Sequence, residues 1–470
     1  MSPIVGIVQD EEMSYDIHPP FKPPKIYPEF PLEDGEVDEK NSVYAGVRNL
    51  FVLLDLDKEN HATPQWNPLG KIIKPGDSVV LKPNFVICEN ELNPEVGTDC
   101  LLTHASVLRP IIDYCLIALA GKGKITIADA PYRCTDFEKV LEKTRTAELV
   151  SYYKEEQNID IEVINIMPEQ RIEKDGKIVF QKMLPGDPRG SVVVKLGAES
   201  MLEPITTKES KFYYRDESEP GNHHRKGFHE YSISKTVLEA DALISVPKLK
   251  THGKTGVTLA LKNMVGIVAE KAWLPHYRLG PPPEGDEMPS EMYCDVQKRR
   301  GIASKIKKVP ILGHILRAYF SIRNQLRKKG VAKEDCSVRN GEWPGNDTVW
   351  RTIYDLNRIV SFADKKGKIK NSKQRNLMVI VDGVVGGEGY GPLSNTPVSS
   401  KVIFGGFDPI AIEYTGADLM GIDPQRITTL KNLTQHRKPF FGEKNPEKIE
   451  KKTNCEIKTI NFKLSPAWIE

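Results

Sequence analysis

Short apolar runs that break off at polar or proline-containing positions, with helical stretches between them, constrain this chain more than any other feature. Ser78–Lys82 (SVVLK) stops at Pro83-Asn84, Ile125–Ala128 (ITIA) stops at Asp129, and Ala242–Val246 stops at Pro247. Between the first two runs, Thr103 can cap a helix that continues to about Ala120, where Gly121 and Gly123 end it. Strand, helix, strand in that order predicts a parallel sheet. Further helices are expected at Tyr44–Asp55, Ser234–Ala240, within Thr255–Val268, at Thr348–Phe362 and at Asp408–Met420. Further strands are expected at Ile4–Val8, Leu377–Val381 and Lys401–Phe404. Around Asp175-Gly176 and Gly186-Asp187 the texture changes to alternating runs that read as hairpins. The expected fold is α/β, a largely parallel sheet flanked by helices. Residues 1–270 and 345–470 form one discontinuous domain, with a hairpin-rich insertion at 165–230 and a basic helical insertion at 271–344.

Composition narrows the function classes. The 470 residues, 39% hydrophobic, suffice for a large core, and 66 basic against 64 acidic residues leave a net charge of +2, so no global field points to nucleic acid. The seven cysteines contain no C-x-x-C pair, which argues against a disulfide framework and against an iron–sulfur site, and favours a reducing cytoplasm. The N-terminal residues lack the basic-then-apolar pattern of a signal peptide, and no apolar run reaches the length of a spanning helix.

Ligands of parallel α/β sheets bind beyond the carboxyl ends of the strands, where loops and helix starts converge. Pro247-Lys248-Leu249-Lys250-Thr251-His252 is the most informative of these ends. Lys248, Lys250, His252 and Lys254 alternate, so on extended backbone they project to one side as a cationic cluster suited to phosphate or carboxylate. A solvated edge strand guarded by lysines is the alternative. Lys82 and Asn84 end a neighbouring strand. Lys262-Asn263 lies in an apolar segment, where the lysine either faces the same pocket or snorkels to solvent. Asp382–Pro392 (DGVVGGEGYGP) holds five glycines and reads as a loop able to wrap a ligand, with Gly386 and Gly387 giving close backbone approach. Asp382 and Glu388 could bind a divalent metal or act as acid and base, or simply accept hydrogen bonds from loop amides. His104, at a helix start, is better suited to capping than to the pocket, and His223, His224 and His229 lack metal-ligand spacing.

From Gln297 to Lys333 there are twelve Lys or Arg and no Asp or Glu, around an apolar centre at Ile311–Phe320. Such a segment either lies on an anionic membrane surface or packs its apolar face on the protein's own core.

The ordered motifs KPGDSVVLKPNFV (74–86), SVPKLKTHGKTGVTLALKNMVGIV (245–268), LPHYRLG (274–280), PGNDTVWRTIYDLNRI (344–359), VDGVVGGEGYGPL (381–393) and FDPIAIEYTGADLMGIDP (407–424) resemble the domain of unknown function 362 family. The resemblance places His276, Arg278, Asn346, Asp347, Asp355 and Asn357 in shared motifs, where Asn346 and Asp347 are as plausible as helix caps before Trp350 as they are as ligands. Some members carry a ferredoxin-like iron–sulfur segment, and this chain lacks the closely spaced cysteines that such a segment needs. The expected function is an enzyme on an anionic small molecule. In it Lys248, Lys250 and Lys82 hold negative charge, His252 transfers a proton, and Asp382 with Glu388 binds metal or acts as acid and base. The alternatives are a redox protein served by a separate iron–sulfur carrier, and a membrane-peripheral or polyanion-binding adaptor.

Overall fold

The computed structural model describes residues 2–30, 36–174, 177–214, 220–294, 340–435 and 441–468. Ten strands form one sheet: β1 (Ile4–Gln9), β2 (Ser78–Pro83), β3 (Lys124–Asp129), β4 (Ile161–Asn165), β5 (Ala242–Val246), β6 (Lys248–His252), β7 (Gly256–Thr258), β8 (Asn376–Tyr390), β9 (Ser394–Gly406) and β10 (Glu450–Thr453). Their order is β10-β1-β9-β8-β5-β2-β3-β4, with β6 pairing β8 and β7 beyond that path. The run β8-β5-β2-β3-β4 is parallel throughout, as is β6 on β8. Antiparallel pairing is confined to β1 with β9, β8 with β9, and β6 with β7. The chain is therefore α/β with a mostly parallel, mixed sheet.

Both faces of the sheet are covered, which explains why β2 and β5 are buried along nearly their whole length rather than alternating. On one face α1 (Ser42–Leu53) and α2 (Ala105–Leu119) pack against Leu81, Ile127 and Ile244. Val80, Ala128 and Leu243 point the other way and meet Met264, Ile267 and Leu356. The helix starts follow from their caps. Asn41 accepts from the Tyr44 N–H, and Asp408 accepts from the Ile410 and Ala411 N–H groups at the start of Pro409–Leu419. For α2 the cap is His104, whose Nδ1 accepts from the Ser106 N–H, and not Thr103. The Thr103 hydroxyl instead joins Asn84 N–H to the Val246 carbonyl, tying the ends of β2 and β5 together.

Three expectations are corrected. The strand at Leu377–Val381 does not stop at Asp382. It continues to Tyr390, and the presumed wrapping loop is the first arm of a long hairpin whose second arm is β9. Within Thr255–Val268 the helix is reduced to Ala260–Asn263, preceded by β7 and followed by a 3₁₀ turn at Met264–Ile267. Gly256 at φ +80° redirects the chain at that point, so a helix cannot start at Thr255. Finally, Gly186-Asp187 is not a hairpin turn. Glu169–Lys174 pairs with Lys177–Met183, but Ser191–Lys195 pairs with Phe228–Ser234, and Asp187 anchors the chain between them by accepting from Ser234 and Thr236.

Candidate functional site

The carboxyl ends of β2 and β3 place Lys82 and Asp129 side by side. Both are buried, and Lys82 Nζ lies 2.8 Å from Asp129 Oδ1 and donates to the Pro83 carbonyl at 2.6 Å. Asp129 Oδ2 accepts from the Phe85 N–H at 2.6 Å, so the turn after β2 holds the carboxylate in place. Asn263 Nδ2 donates to the Lys82 carbonyl at 3.0 Å and to Ser245 Oγ at 2.9 Å, while its Oδ1 lies within hydrogen-bond reach of both Lys82 Nζ and Asn84 Nδ2. This polar lattice joins β2, β5 and the short helix 260–263. It thereby fixes where Lys262 sits.

These residues form the floor of a cavity of about 260 Å³. Lys250 and His252 enter from β6, Lys254 from the following turn, and Lys262 from the short helix. Lys271, His276, Asn340 and Glu342 close it from the far side, with Tyr132 and Tyr214 as aromatic walls. Five lysines and two histidines thus face two carboxylates, of which Asp129 is already paired.

Four of the lysines have protein acceptors. Besides Lys82, Lys250 donates to the Leu101 carbonyl at 2.8 Å and the Pro392 carbonyl at 3.3 Å, and Lys271 to the Val265 carbonyl at 2.8 Å. Lys254 donates to the Asn340 carbonyl, with Glu342 at 3.9 Å. Lys262 makes no hydrogen bond or ion pair with a described residue. Burial pushes Lys250, Lys262 and Lys271 each down to about 7, for Lys262 with the added repulsion of Lys254 and Lys82 and for Lys271 against the pull of Asp129, and Lys82 is lowered by burial, also against Asp129.

The histidines are neutral for the same reason: burial, then Lys262, holds His252 and His276 well below the usual imidazole range. Their tautomers are fixed by their partners. His252 Nδ1 accepts from the Lys254 N–H at 3.0 Å, so its proton is on Nε2. His276 Nδ1 faces the Leu274 carbonyl at 3.3 Å and must carry the proton, leaving Nε2 as an acceptor. One cavity therefore holds an imidazole donor and an imidazole acceptor.

The expected site residues divide into two groups. Lys82, Asn84, Lys250, His252, Lys254, Lys262 and Asn263 come together at the cavity. Lys248, Asp382, Glu388, Gly386 and Gly387 do not line it. The register of β6 on β8 shifts between Lys248 and Lys250, and Lys248 sits opposite Asp382, with which it forms a fully buried ion pair at 3.1 Å. Asp382 also accepts from Tyr15 at 2.6 Å and from the His104 N–H at 3.0 Å, so its oxygens are occupied. Glu388 accepts from the Lys463 N–H at 2.8 Å. Asp382 and Glu388 take different partners, and among the described residues no group of three or more His, Cys, Asp or Glu is placed to hold a metal ion. Gly386 and Gly387 make room for protein: a Cβ would lie 2.4 Å from Ser400 Oγ at the first and 2.4 Å from the Cys100 carbonyl at the second.

Sequence reasoning missed Lys271 and Glu342, which lie in a segment expected to be a separate insertion. Asp129 stands out in the sequence only as a strand end, and His276 only through a shared motif. The basic stretch 297–333 lies outside the described residues, among which no helix is long and apolar enough to cross a membrane.

The family defined as a domain of unknown function (DUF362) matches residues 173–418, slightly more than half of the 470. The chain belongs to that family. The DUF362 match contains β5 to β8 and the cavity residues from Tyr214 to Pro392, whereas Lys82 and Asp129 lie ahead of it. No curated protein and no solved structure matches the chain.

Proposed function

We propose that the cavity binds a small, multiply charged anion bearing phosphate or carboxylate groups, and that the protein is an enzyme acting on it. The observation that carries this reading is the imbalance of charge around one small cavity: five lysines and two histidines against two carboxylates, which pair with Lys82 and Lys254. Burying an ammonium costs several kcal/mol unless an opposite charge meets it. The lysines avoid that cost by surrendering protons, which is why three of them fall to about 7. An anion supplies the missing charge, so its binding draws protons back onto the cavity lysines. Groups poised near neutral pH are suited to proton transfer during turnover, and His252 with His276 adds a neutral donor and acceptor to them.

Isothermal titration with pyrophosphate and citrate in two buffers of different ionisation heat tests the reading. The expected result is saturable binding with net proton uptake at pH 7.5. Binding without proton exchange, or none, overturns it.

A further inference from the structure

Among the cavity lysines, Lys262 stands apart because it has no acceptor among the described residues. A structural lysine is held by carbonyls or carboxylates, as Lys82, Lys250 and Lys271 are. A lysine that only attracts an anion gains nothing from flanking imidazoles of opposite tautomer. Lys262 is nevertheless the charge that acts most strongly on both His252 and His276. The short helix that carries Lys262 is fixed on either side of it: Glu413 accepts from the Leu261 N–H at 3.1 Å, and the Asn263 amide is locked to Lys82 and Ser245.

We propose that Lys262 is a nucleophilic amine that forms an imine with an aldehyde or ketone carrying a phosphate or carboxylate, whose anionic group is held by the other cavity lysines. This rests on the anion-binding reading above and adds the carbonyl. The Nζ lone pair forms the N–C bond while the carbonyl π pair moves to oxygen, where His252 Nε2–H supports the developing charge. His276 Nε2 carries the two amine protons in turn from nitrogen to that oxygen. The C–O bond breaks, water leaves, and C=N closes with no change of oxidation state. Depression of the lysine to about 7 supplies the free amine at neutral pH, in a fraction on the order of 10³ times that of an ordinary lysine.

Glycolaldehyde phosphate and its alcohol counterpart, 2-hydroxyethyl phosphate, separate the two claims. Protein is incubated with the aldehyde at pH 7 and reduced with sodium borohydride, and the adduct is mapped by peptide mass spectrometry; binding of the alcohol is followed by calorimetry. The expected result is binding of both compounds, with adduct at Lys262 about tenfold or more above that at any other lysine. Lys262→Arg should retain alcohol binding and lose the adduct, with Lys262→Gln as the substitute if the arginine variant does not fold. Alcohol binding without an adduct, or with the adduct spread over other lysines, overturns the imine and leaves the anion site standing. Failure of the alcohol to bind removes both.

Discussion

A methyl group on Gly266 would land 2.0 Å from Asp129 Oδ1 and 2.5 Å from Lys82 Nζ, so the glycine is what allows the 264–267 turn to lie directly over the buried ion pair. Gly266→Ala should separate Lys82 from Asp129, and losing a buried partner costs about 3–5 kcal/mol. Urea denaturation of the variant measures this, and an unchanged midpoint would show that the pair can shift aside. Lys262→Ala acts in the opposite sense on the free protein, because among the described residues the charges acting on Lys262 are the repelling ones of Lys254 and Lys82. Its melting temperature should hold or rise, while affinity for pyrophosphate, whose charge the other cavity lysines hold, changes by less than about threefold, under about 1 kcal/mol. A drop in both quantities would mean that Lys262 supports the fold.

At the scale of elements, the glycines of β8 and the lysine strand β6 behave differently from what their composition implies. Gly387→Ala would press a Cβ to 2.4 Å from a backbone carbonyl and should destabilise the hairpin by about 1–3 kcal/mol, read as a lower thermal midpoint, with anion affinity unchanged once folded. Loss of affinity in a fully folded variant would restore the ligand-wrapping role. The glycine run was illegible in the sequence because close packing of two hairpin arms and close approach of a ligand demand the same absent side chain. Elements with local determinants were legible: β2, β3 and β5 have short, largely apolar runs, and the helices at 42–53 and 409–419 have side-chain caps. Alternation along β6 correctly grouped Lys250 and His252. It could not show the register shift that sends Lys248 to Asp382, because that shift depends on a partner strand more than a hundred residues away. Lys271 and His276 join the site through tertiary folding alone, which no periodicity reveals.

For the whole molecule the lysine-lined cavity dictates how stability depends on pH. Lys250, Lys262 and Lys271 titrate at about 7 when folded and near 10.4 when unfolded. Between these values the unfolded chain binds more protons, so their contribution to stability improves as pH rises from 7 toward 10, and below 7 it stays constant at its least favourable. The ligand-free protein should therefore melt higher at pH 9 than at pH 7, apart from the carboxylate and tyrosine contributions. Saturating pyrophosphate should raise the midpoint most at pH 7 or below and progressively less above it. Equal ligand-induced shifts at pH 7 and 9, measured by scanning calorimetry, would contradict this. One feature of the architecture bears on how such a protein is made. Trp468 donates its indole N–H to the Gly253 carbonyl at 2.7 Å and lies under Gly256, while β1 is paired on both sides by strands from the last third of the chain. A ribosome must therefore release Trp468, 215 residues beyond Gly253, before the turn bearing His252 and Lys254 gains its support, so the nascent chain carries its cluster of lysines unprotected over that interval.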